Sequence, residues 1–153
     1  MTKKAIGLAK WFLAGLVFFA LILVIYLNLS SGDDVDLEEV MLGGVSIDVE
    51  VVETEVELRK GLSGRSAIGP ADGMLFVFSE EDRYGIWMKD MEFAIDIIWI
   101  SSGGEVVAIL EDVSPNTYPK VFRPHEPAGY VLETEAGMVK ENNWSEGDEL
   151  LRP

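Results

Sequence analysis

Residues 73–100 read GMLFVFSEEDRYGIWMKDMEFAIDIIWI. Met74 to Phe78 and Phe93 to Ile100 are continuous apolar runs of strand type, which predicts two strands buried on both faces. Ser79 to Tyr84 is a charged connection between them. The step Trp87-Met88-Lys89 and the carboxylate of Asp96 interrupt an otherwise apolar block, and a purely structural strand pair needs neither.

Working outward, Val45 to Val52 (VSIDVEVV) alternates apolar and polar residues as a half-buried strand does. Thr54 and Glu57 fit a capping box, so a short helix follows and ends near Gly61 and Gly64. Gly69 to Gly73 is turn chemistry. Ser101-Ser102-Gly103-Gly104 predicts a hairpin, with Glu105 to Leu110 as the returning strand. Asp112 to Pro127 holds four of the six prolines and is read as a loop. Tyr130 to Glu133 is a further strand, Ala136 to Asn142 a helical turn, and Gly147-Asp148 leads into a last short strand. No strand is followed by a helix long enough for a parallel crossover. The expected fold is mainly β (α+β), a compact mixed β-barrel or sandwich with one or two short helices.

Ahead of that domain, Trp11 to Leu29 (WFLAGLVFFALILVIYLNL) is 19 residues without a charge. As a helix it would be roughly 28 Å long, against a hydrocarbon core of about 30 Å. Lys3, Lys4 and Lys10 precede it, so the basic N-terminus (1–10) is expected in the cytoplasm. Residues 11–29 are then a single transmembrane helix, 30–42 an acidic tether, and 43–153 a β-rich domain outside the cell membrane. A cleaved signal peptide is the competing reading, although its apolar core would be shorter and would end in small residues.

Beyond the apolar run lie nine basic and all 27 acidic residues, a formal charge of −18. Phosphate backbones are bound by basic patches, so no nucleic-acid partner is expected. With one histidine, His125, and no cysteine, neither a His/Cys zinc site nor a thiol nucleophile can be built. No serine sits in a G-x-S-x-G elbow, and no P-loop or G-x-G-x-x-G is present. No cofactor is expected.

Carboxylates and cations remain. Strand alternation puts Asp96 on the face of Ala94 and Ile98, away from Ile95 and Ile97. It is either a brace, ion-paired or accepting backbone N–H bonds, or an acid/base or ligand-binding group, with Lys89 or Arg65 as partner. Glu133 in YVLET poses the same choice. Arg59 and Arg65 flank the turn RKGLSGR, where guanidinium groups can hold a carboxylate or phosphate, or satisfy the domain's own acids. Trp87 could stack on a ring ligand or simply pack.

Three segments, RKGLSGRSAIGPADGMLFVF, IWMKDMEFAIDIIWI and EPAGYVLETEAGMVKENNWSEGDEL, resemble in order the elements of the domain of unknown function 192 (DUF192) family. After WMK the family has asparagine and threonine, where this chain has Asp90 and Met91. The resemblance implies a small β-rich domain, commonly exported or tethered, with no established catalytic residue. The polar positions it matches are Arg59, Arg65, Lys89, Asp96 and Glu133. The function expected first is a membrane-anchored binding or accessory module of the cell envelope, taking a small ligand or an envelope protein. The alternatives are a metal-independent hydrolase or lyase using Asp96 or Glu133 as acid/base with Lys89 or Arg65, and an ion-pair network with no site.

Overall fold

The computed structural model describes residues 18–24 and 37–152. Residues 18–24 are helical and exposed. Most of the run expected to span the membrane, with the N-terminus (1–10) and residues 30–36, lies outside the described residues. Among the described residues no helix is long and apolar enough to cross a membrane.

The remainder is a mainly β domain. Its strands are β1 (Leu37–Leu42), β2 (Val45–Val52), β3 (Gly73–Asp82), β4 (Ile86–Trp87), β5 (Ile95–Ile100), β6 (Val106–Val113), β7 (Val121–Phe122), β8 (Ala128–Glu135) and β9 (Leu150–Leu151). Two short helices, α1 (Glu55–Lys60) and α2 (Met138–Asn142), complete it with a 3-10 turn at Pro115–Thr117. Seven strands form one curled, half-barrel sheet in the order β6-β5-β8-β3-β2-β1-β9, and β4 pairs with β7 apart from it. The two edges meet at one end. Leu150 N–H donates to the Gly104 carbonyl at 2.7 Å, and Val106 N–H to that of Asp148 at 2.9 Å.

Three segments differ from the expectation. Leu37–Leu42 is strand β1 rather than tether, because Glu39 and Met41 face solvent while Val40 and Leu42 are buried and Glu38 pairs with Arg152. Strand β3 runs on through the charged residues to Asp82. β2 and β3 pair in parallel, so a crossover exists, made by residues 53–72 with only a short helix in it. That helix forms as its capping box dictates. Glu57 N–H donates to Thr54 Oγ1 at 3.3 Å, and Thr54 N–H to Glu57 Oε2 at 3.1 Å. Gly61 ends it at φ +46°, where a Cβ would lie 3.1 Å from the Phe76 ring.

Both faces of the sheet are buried along β5, the first half of β3 and most of β8. On β5, Ile98 and Ile100 join the inner core with Leu42, Leu75, Leu132 and Trp144, while Ile95, Ile97 and Trp99 join the outer one with Met74, Phe76 and Met88. The outer core is roofed by the 53–72 crossover. Arg65 pins that roof to the sheet through a two-pronged pair with Glu50 (2.6 and 2.8 Å). Ser63 Oγ donates to the Lys89 carbonyl at 2.8 Å and Gly64 N–H to that of Asp90 at 2.7 Å.

Asp96 is fully buried on the inner face, with Ile98 and Ile100. Neither Lys89 nor Arg65 is its partner. Its carboxylate accepts three backbone N–H groups: Asp112 at 2.8 Å, Gly137 at 2.9 Å and Val139 at 3.0 Å. The pairing of β5 with β6 gains an extra residue between Leu110 and Val113, and Asp112 stands there at φ +51°. The other two amides open α2, whose own N-cap, Gly137, has no side chain to cap with. Asp96 therefore ties the bulge of β6 and the start of α2 to β5. Asp96→Ala should strand three amides, that of Val139 buried and those of Asp112 and Gly137 in part-buried bonds, and cost about 3–5 kcal/mol in urea unfolding followed by the emission of buried Trp99 and Trp144. A loss below about 1 kcal/mol would show the brace to be dispensable.

Candidate functional site

Glu133 sits on β8 one residue beyond Leu132, and that step places it on the outer face. Its cross-strand neighbours are Met74 on β3 and Ile97 on β5, both buried and apolar. The side chain is 5% exposed. No hydrogen bond or ion pair among the described residues reaches its carboxyl group; the ion pairs found are Arg65–Glu50 and Arg152–Glu38. Loss of hydration without a compensating charge raises its pKa from the ordinary 4.5 to about 8. Glu133 is thus a neutral carboxylic acid at pH 7.

The carboxyl is not sealed in. No described side-chain polar atom is both inaccessible and unpartnered, so its oxygens open onto the space in front of them. That space is a cleft of about 70 Å³. That is room for a few waters or one end of a small ligand. Leu58, Arg59, Lys60, Gly61, Leu62 and Ser63 line it from α1 and the turn after it. Phe76, Gly85, Ile86, Trp87, Met91 and Ile95 supply the rest, with Glu133 among them.

The mouth carries charge and an aromatic surface. Arg59 and Lys60, in the last turn of α1, are exposed and make no ion pair with a described acid, in a chain of 27 acidic residues. Trp87 is 47% exposed, whereas Trp99 and Trp144 are 0% and 5% exposed. Tyr118 meets Trp87 edge-on at 6.1 Å, and Lys89 Nζ lies 5.8 Å from the Trp87 ring centre. The alternation in Trp87-Met88-Lys89 explains this: Met88, 1% exposed, is the core anchor and its neighbours point outward.

Of the six residues singled out in the sequence, the structure brings Arg59, Trp87 and Glu133 into one cleft, with Lys89 against the Trp87 ring. Arg65 is committed to Glu50 and Asp96 to backbone amides on the opposite face. Lys60 and Ser63 were missed, though both lie in the RKGLSGR turn that drew attention to Arg59. Their relevance depends on the roof folding over β8, which no local pattern shows. Among the described residues no group of three or more His, Asp or Glu could hold a metal ion.

The DUF192 family model, described as "Uncharacterized ACR", matches residues 38–151. A UPF0127 protein of Thermococcus gammatolerans is 31% identical over 102 residues, 65% of this chain and 63% of that relative's length. The matched part of the chain thus spans under two thirds of that relative. A crystal structure from Sinorhizobium meliloti 1021, of a protein named as a candidate transcription regulator, superposes with a TM-score of 0.72. It is 31% identical, and the match covers 80% of this chain and 98% of that one. A protein of unknown function from Novosphingobium aromaticivorans DSM 12444 shares the fold at a TM-score of 0.71 and 23% identity, over 79% of this chain and 89% of that one. The chain belongs to the DUF192 family, whose function is uncharacterised.

Proposed function

We propose that the domain binds a small organic anion in the Glu133 cleft, and that residues 11–29 hold it at a membrane as an extracytoplasmic module. The observation that carries the binding reading is the buried carboxyl of Glu133, unpartnered among the described residues, in a cleft also lined by Arg59 and Lys60, neither of which pairs with a described acid. A buried acid without a partner is a standing cost to the fold, and such costs concentrate at functional sites. Arg59 and Lys60 supply charge for an anion, and Glu133, being neutral, does not repel it. Binding is preferred to acid/base catalysis because the other candidate carboxylate, Asp96, spends its oxygens on backbone amides. Regulation through nucleic acid, which the Sinorhizobium protein's name suggests, is not adopted because this chain is too acidic to favour a phosphate backbone. The anchor is supported by the uncharged run itself and by residues 18–24, which are apolar, helical and exposed. Such a surface calls for burial in lipid or protein.

Small organic acids titrated into isotope-labelled protein should give saturable NMR shifts at the Gly61 and Ser63 amides and the Trp87 indole. The double variant Arg59→Ala/Lys60→Ala should bind them roughly tenfold or more weakly. Unchanged affinity in that variant would refute the site.

The pKa of Glu133 also sets a stability profile. The folded state holds this proton more tightly than the unfolded chain, so stability falls as pH rises from about 4.5 to about 8 and levels off above. Glu133→Gln should remove that slope, and its advantage should grow with pH to the order of 4–5 kcal/mol. Parallel curves for the two proteins would contradict a buried neutral acid.

For the anchor, the full chain should stay in the membrane pellet through alkaline carbonate extraction, and a chain lacking residues 1–30 should not. Release of the full chain would dismiss the transmembrane reading.

A further inference from the structure

Resting on the anion-binding reading, we propose that the ligand is a polyhydroxylated ring acid, a sugar acid of the uronic type, with its ring against Trp87. Three features of the cleft point to it, and each excludes a simpler ligand.

The first is the dual character of Glu133. A neutral carboxylic acid donates through its O–H and accepts through its C=O. A ligand hydroxyl also does both, so one or two hydroxyls entering a cleft of about 70 Å³ satisfy the acid in both directions. A carboxylate could accept from it but could not donate back, and a hydrocarbon ring would leave it unpaired at the full desolvation cost. Ser63 Oγ, whose proton goes to the Lys89 carbonyl, keeps lone pairs for a second hydroxyl.

The second is the exposed indole. Trp87 shows half its surface while the other two described tryptophans are buried. Tyr118, 46% exposed, stands at 63° to it. Tyr118 packs edge-on against Trp87, and the exposed indole, which lines the cleft, offers a surface on which the flat C–H face of a saturated ring can stack. An inorganic anion would leave this surface unused.

The third is the pair of cations. Arg59 and Lys60 line the same cleft without a described acid partner, which places a negative charge on the same small molecule. A neutral sugar would leave them idle. Hydroxyls, a ring face and a carboxylate occur together in a sugar acid, bound without any covalent step.

The test uses the full chain in detergent micelles, with D-glucuronate, D-glucose and acetate as probes, by calorimetry and by tryptophan emission. Glucuronate should bind saturably, roughly tenfold or more tightly than either glucose or acetate, and perturb the emission. Trp87→Ala should weaken glucuronate by a similar factor. Trp87 is half exposed, so this variant folds, and Tyr118→Ala, at an equally exposed position, provides a second arm with a smaller loss. Acetate binding as tightly as glucuronate would overturn the sugar-acid assignment and leave the anion site standing. Undiminished glucuronate binding by both aromatic variants would overturn it too. No binding of either acid would remove both readings.

Discussion

The register between β5 and β8 decides what each of two buried carboxylates can do. Asp96 lies opposite Thr134, and Ile97 opposite Glu133. These rows are adjacent, and adjacent strand residues face opposite sides of the sheet. Asp96 is thereby turned into the curled interior, where freed amides of the β6 bulge and of α2 surround it. Glu133 is turned outward under the crossover, where nothing described compensates it. A slip of one residue would exchange the two faces and strand both groups. The inner core, the outer core and the cleft all depend on this alignment.

The domain's charge follows the same division. Apart from Asp96 and Glu133, most of its acids lie toward solvent, where hydration and screening make them cheap. The cations that could neutralise them are used sparingly: Arg65 locks the roof to β2 through Glu50, and Arg152 pairs with Glu38. Arg59 and Lys60 have no such employment among the described residues, and both line the cleft. In a chain of formal charge −15, two cations lining the cleft of a neutral acid offer a small anion its charge partners.

Much of the scaffold was legible in the sequence because it rests on local rules. The continuous apolar run at 74–78 became part of β3 and that at 93–100 became β5, which begins at Ile95, and Thr54 and Glu57 made their capping box. The alternation argument put Asp96 on the face of Ile98. What the sequence withheld depends on distant pairing. The amides that Asp96 holds come from residues 112, 137 and 139, far along the chain. The partner of Arg65 is fixed by the parallel β2–β3 pairing, which the short helix had argued against. Leu37–Leu42 read as tether because its glutamates outweigh its buried Val40 and Leu42. Glu133 was visible as a candidate beside Asp96, but only the register separates a carboxyl that braces from one that opens onto a cleft.

The central claim is that Glu133 is a neutral, unpartnered acid facing that cleft. Carbon-13 NMR titration of glutamate carboxyl groups in the full chain tests it most directly, with Glu133→Gln identifying the resonance. A carboxyl signal absent from that variant and titrating near pH 8 is the predicted result. If the signal titrates at the ordinary value of about 4.5, Glu133 is ionised at neutral pH, and the account of the cleft is contradicted.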